Sequence, residues 1–82
     1  MTLNLKRLKA ERMASGLSQD EMAERMGWKT RTPYAKRENG LVTIGADELI
    51  KMAQILGYGI DDIGIFFNQG VPKRELKQKQ TT

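Results

Sequence analysis

The chain has 82 residues, of which 39% are apolar and 29% charged, and its formal net charge is +4. That length makes one domain at most, because either half alone would be too short to bury a core. Cysteine and histidine are both absent, which excludes disulfides, thiolate metal sites, cysteine nucleophiles and the commonest general base.

Taken in chain order, the signals are helical throughout, without the alternation of a half-buried strand. A first helix is expected over 3–14, with Leu5, Leu8 and Arg12 on one face, Met13 beside them, and Gly16 ending it. The second has the clearest start. Ser18 is followed three residues later by Glu21, a capping box, and Leu17 and Met22 can close a hydrophobic staple around it. Met22, Ala23 and Met26 then face inward, and Gly27 stops the helix. At about two turns it is too short to persist alone, so tertiary packing must hold it.

A third helix is expected over 30–39, with Thr30 as its N-cap and Pro33 in the first turn, where a missing amide costs nothing. Tyr34 is its one large apolar residue, so it buries a narrow edge and leaves the rest wet. The segment 45–56 is the most regular helix. Ala46, Leu49, Ile50, Ala53 and Leu56 make its core stripe, flanked by Met52 and Ile55, and Asp47 and Glu48 suit the dipole of its first turn. A fifth helix is expected over 60–67, with Ile60, Ile63 and Phe67 on one face and Gly64 weakening it by about 1 kcal/mol. Beyond it, 68–82 is polar and basic and reads as a mobile tail.

The charge is unevenly placed: +4 over 1–40, −3 over 41–67 and +3 over 68–82. The stretch from Trp28 to Arg37 holds Lys29, Arg31, Lys36 and Arg37 and no acid. A polyanionic partner follows from that, with ordinary solvated charge scatter as the plainer explanation. The longest apolar run, Ile65-Phe66-Phe67, cannot span a membrane. The first residues lack the apolar stretch of a signal peptide, so a cytoplasmic protein is expected. No phosphate-cradling glycine loop is present, and without histidine no Ser-His-Asp set can form. The chain is therefore expected not to be an enzyme and to need no metal or cofactor.

Two helices joined by a glycine turn, with a small residue at their crossing and the second helix wet and basic, describe a helix-turn-helix. The segments Leu17-Ser18-Gln19-Asp20-Glu21-Met22-Ala23-Glu24-Arg25-Met26-Gly27, Glu38-Asn39-Gly40 and Leu49-Ile50-Lys51-Met52-Ala53-Gln54-Ile55-Leu56-Gly57 resemble, in order and spacing, the Cro/repressor-type (XRE) helix-turn-helix family. The resemblance covers about 5–67. The closing Ile63-Gly64-Ile65-Phe66-Phe67 is similar to small prophage and mobile-element regulators of Gram-positive bacteria.

The resemblance implies an all-α, five-helix, lambda-repressor-like DNA-binding domain over 1–67. The helix 30–39 would lie in the major groove. Arg31, Thr32 and Lys36 match the positions that read bases, and their chemistry suits guanine O6/N7 and the thymine methyl. Gln19 matches a residue that approaches a phosphate. Lys29, Arg37, Asn39 and Gly40 are the further candidates for the DNA backbone, the last two through their amides. Arg12 matches an arginine that pairs with the glutamate of the Glu-Asn-Gly turn, here Glu38.

This chain departs from the family in a turn one residue longer than usual, in Pro33 and Arg37, and in the uncharged Leu41-Val42-Thr43. Arg37 can lay its stem over Tyr34 and show its charge to a phosphate. Trp28 is expected to plug the turn, Tyr34 to lie in the core, and Met13, Met22, Met26 and Met52 to fill it. The implied function is a DNA-binding transcriptional repressor acting as a homodimer on a palindromic site, open to a protein antagonist. Ile60, Ile63, Phe66 and Phe67 are the candidate dimer surface. The alternative is an antitoxin or anti-repressor, a protein-interaction module on the same fold.

Overall fold

The computed structural model describes residues 2–68. Helix α1 is Leu5–Ala14, α2 Gln19–Met26, α3 Thr32–Glu38 and α4 Ala46–Ile55, and a 3₁₀ helix follows over Ile60–Phe66. Two short strands, β1 (Thr2–Leu3) and β2 (Phe67–Asn68), pair antiparallel, with Thr2 opposite Asn68 and Leu3 opposite Phe67. The ends of the described chain therefore meet, and the Asn4 N–H donates to the Phe66 carbonyl at 2.6 Å. Two-residue strands are too short to show alternation in a sequence. They are also why α1 starts two residues later than expected: Leu3 is extended, and the Asn4 side chain caps the helix by accepting from the Arg7 amide at 3.1 Å.

Five large side chains, one from each helix, form the fully buried centre: Leu8, Met22, Tyr34, Met52 and Phe66, each 0% exposed. Helix α2 packs on both α3 and α4, and α1 lies against α3 and the 3₁₀ helix. Ala23, 1% exposed, sits among these residues and lets the helices approach closely. Leu49, Ala53 and Leu56 complete the α4 face around Met52. Met52 is thus central to that face, Ile50 is half-buried and Ala46 exposed. Met13, expected in the core, is 60% exposed, because α1 turns only Leu8 and Arg12 fully inward.

The fifth helix expected over 60–67 is present as a 3₁₀ helix ending at Phe66. At three residues per turn Ile63 and Phe66 eclipse one another, so Phe66 enters the core rather than Phe67. Its ring meets Tyr58 edge-on at 5.7 Å between centroids. Phe66 therefore cannot belong to a dimer surface. Ile60 is 62% exposed, and Ile63 and Phe67 are half-buried against the core. The tail expected over 68–82 lies outside the described residues except for Asn68.

Candidate nucleic-acid interface

The interface is built from α2 upward. The Ser18 hydroxyl accepts from the Glu21 amide at 3.0 Å and the Glu21 carboxylate accepts from the Ser18 amide at 2.8 Å, so both halves of the capping box are made. At the other end Gly27 takes φ +92°, a left-handed conformation that allows the chain to leave the helix while the Trp28 N–H returns to the Ala23 carbonyl at 2.9 Å. Residues 28–31 then run without regular structure to α3.

Helix α3 begins at Thr32, two residues later than expected. Thr30 does not cap it; Arg31 does, with no side-chain hydrogen bond, and Pro33 in the first turn presets the helical φ. The inner face of α3 is Tyr34 and Glu38, one turn apart and buried. The Glu38 carboxylate accepts four hydrogen bonds. Arg12 donates through Nε to Oε2 at 2.8 Å and through Nη2 to Oε1 at 3.1 Å, Gln19 Nε2 donates to Oε1 at 2.9 Å, and the Tyr34 hydroxyl to Oε2 at 2.6 Å. Arg12 also donates through Nη1 to the Leu17 carbonyl at 2.7 Å, which ties α1 to the start of α2.

Burial pushes the Glu38 carboxyl up, but the bonds from Arg12, Tyr34 and Gln19 outweigh it and hold it below its ordinary value. Burial, then the neighbouring Glu38, push the Tyr34 hydroxyl up, so it stays a donor. Glu38 thus fastens α3 to both α1 and α2 as an ionised, fully satisfied acceptor.

Fixing that inner face decides what faces out. At about 100° per residue, Thr32, Lys36 and Asn39 fall on one stripe opposite Tyr34 and Glu38, and all three are exposed. Arg31, the residue before α3, and Lys29 in the turn are exposed too, and they line a hollow with Asp20, Glu24, Trp28 and Thr30 beside α2. Of the base-contact candidates, Thr32 and Lys36 thus share one exposed stripe with the Asn39 side chain, whereas Arg31 lies about 100° round from Thr32, beside Lys29. A helix with its side chains is about 10–12 Å across, which a major groove about 12 Å wide admits.

Three backbone-contact candidates stand elsewhere. The Gln19 side chain turns inward to Glu38. Arg37 lies over Trp28 rather than Tyr34, with its guanidinium carbon 4.5 Å from the ring centroid, and pairs with Glu48 through two parallel bonds of 2.9 and 3.0 Å. Its charge is spent inside the protein. The amides of Asn39 and Gly40 donate to the carbonyls of Ala35 and Arg37 at 2.9 and 3.1 Å, and those of Leu41 and Val42 to Lys36, so the helix end consumes its own donors. Gly40, without a side chain or a free amide, has nothing to offer a phosphate as a donor.

Glu48 is the residue that sequence reasoning missed, since its position suggested only a favourable helix dipole. The one local hint was its spacing three residues after Gly45, whose amide it accepts at 3.0 Å. Its partner Arg37 lies eleven residues away across a loop and leaves no periodic trace.

A family model described as Helix-turn-helix matches residues 8–63. The chain belongs to the XRE-type helix-turn-helix family. Its helix-turn-helix is α2, the Gly27 turn and α3, and the match extends over α1 from Leu8 on, α4 and the first half of the 3₁₀ helix. No curated protein and no solved structure gives a significant match. The family is one of DNA-binding regulators rather than enzymes, and this helix-turn-helix chain is a DNA-binding transcriptional regulator. Among its described residues no helix is long and apolar enough to cross a membrane, and no group of acidic side chains is placed to hold a metal ion.

Proposed function

We propose that this regulator is a repressor that binds a palindromic operator as a homodimer, with α3 in the major groove of each half-site. The observation that carries the reading is the exposed pair Thr32 and Lys36, with Arg31 exposed just before them, on a helix whose opposite face is anchored by Glu38. A helix anchored on its inner face presents its donors outward, and discrimination between base edges requires donors in defined directions. Arg31 and Lys36 suit guanine acceptors and the Thr32 methyl suits thymine, while Lys29 and Asn39 suit flanking phosphates. Seven helical residues touch only a few base pairs. Two copies on half-sites about 34 Å apart would supply the missing specificity. Exposed Ile60, with half-buried Ile63 and Phe67 beside it, is the surface we assign to the second copy. Repression asks nothing more of the chain, because occupying an operator within a promoter blocks polymerase.

The test is equilibrium binding of the 82-residue chain to a duplex selected from a random pool and to a scrambled duplex, over a salt series. The selected duplex is expected to bind at least about a thousandfold tighter, with both affinities falling steeply as salt rises. Equal affinity for the two duplexes would contradict sequence reading.

A further inference from the structure

Helix α3 is anchored from beneath along one line, Tyr34 and Glu38. A short helix held along a single line is free to roll about it, and rolling would swing Thr32 and Lys36 out of register with the bases. The contacts on its flank resist that motion. The Arg37 guanidinium donates through Nε and Nη2 to the two oxygens of Glu48 at 2.9 and 3.0 Å, and through Nη1 to the Pro33 carbonyl at 2.9 Å. Its face stacks on Trp28 at 4.5 Å. The Trp28 amide is held by Ala23 of α2, and Glu48 also accepts the Gly45 amide that opens α4. The planar fork is therefore fixed in angle by the carboxylate and in height by the indole. The Arg37 and Glu48 side chains are only 18% and 30% exposed.

We propose that Trp28, Arg37 and Glu48 form a clamp joining the turn, α3 and α4, and that they are positioning residues for base reading, acting through the orientation of α3. The proposal rests on the DNA reading above. It gives the longer turn a role: Trp28 is the extra bulk against which the reading helix is registered. It also gives Glu48 a sign that an ordinary acidic residue near DNA would not have. Removing its negative charge lowers discrimination between sequences, although it raises attraction for any polyanion.

The experiment compares the unmodified chain with Glu48→Gln, Trp28→Leu, Trp28→Phe and Arg37→Gln, at a temperature where circular dichroism shows each folded. Affinity for the selected and the scrambled duplex is measured over a salt series, and amide exchange of Thr32–Glu38 in the free protein. Glu48→Gln and Trp28→Leu are expected to reduce the ratio of the two affinities roughly tenfold and to speed α3 exchange. Trp28→Phe, which keeps an aromatic face, is expected to restore most of both. An unchanged affinity ratio in variants that merely melt earlier would overturn the clamp. So would a fall of about one in the salt slope of Arg37→Gln, which would place Arg37 on a phosphate. If the unmodified chain does not distinguish the duplexes, the DNA reading fails. The clamp then stands or falls on α3 exchange: faster exchange in Glu48→Gln supports it and unchanged exchange refutes it.

Discussion

Glu38 carries four hydrogen bonds on two oxygens, in a place almost without solvent. A buried ion pair adds little net stability, but removing one member strands the other and costs about 3–5 kcal/mol. Arg12→Ala is therefore expected to lower the melting temperature sharply, and an unchanged melting temperature would contradict the pairing. The same carboxyl sets an acid limit. Its pKa in the fold lies below the ordinary 4.5, so its contribution is complete above about that pH. It is lost as pH falls further, through the depressed value. Hydrogen bonds from Tyr58 and Arg7 lower Glu11, the Ser18 cap lowers Glu21, and Arg37 with the Gly45 amide lowers Glu48, so the whole domain should weaken in acid. Glu38→Gln, which keeps the shape, should show a shallower loss of melting temperature in acid than the unmodified chain. Equal acid profiles would mean that Glu38 titrates alike in the folded and unfolded chain.

At the scale of elements, what was legible in the sequence was what local chemistry decides. Ser18 and Glu21 announce α2 because their bonds span three residues. Gly27 announces its end because only a left-handed residue lets the chain turn there. An added Cβ at Gly27 would meet nothing within 4 Å, so Gly27→Ala should cost only the backbone strain, about 1–2 kcal/mol. Chemical denaturation checks this, and a much larger loss would reveal a hidden clash. The start of α3, the 3₁₀ helix and the strand pair were not legible. Thr30 is a good cap by type, yet the turn from Gly27 to Arg31 occupies it, and Arg31 begins the helix without a side-chain bond. Phe66 rather than Phe67 enters the core because tertiary packing, not period, chose the helix type. The exposure of Arg31, Thr32 and Lys36 was legible, because Tyr34 is the one large apolar residue of that segment. The destinations of Gln19 and Arg37 were not, because their partners Glu38 and Glu48 come from distant elements.

Across the whole molecule, one large, fully buried side chain from each helix meets the others at the centre, so no helix stands without them. The proposed base-reading residues and the proposed partner surface belong to different parts of the fold, the start of α3 and the 3₁₀ helix, and should be separable by mutation. Ile60→Asp places a charge at an exposed position and is expected to leave the melting temperature within about 0.5 kcal/mol equivalent of the unmodified chain. It should also shift sedimentation toward monomer and weaken binding to a palindrome more than to a single half-site. An identical sedimentation profile would remove Ile60 from the interface. Phe66→Ala, by contrast, opens the core and should cost about 3–5 kcal/mol.

The central claim is that Arg31, at the head of α3, reads a base. The most direct measurement is the base preference at every operator position for the unmodified chain and for Arg31→Ala, by selection from a random duplex pool. Loss of preference at one position in each half-site, worth about 1–3 kcal/mol, with the others kept, is the predicted result. A uniform weakening with every preference intact would place Arg31 on a phosphate and contradict the account.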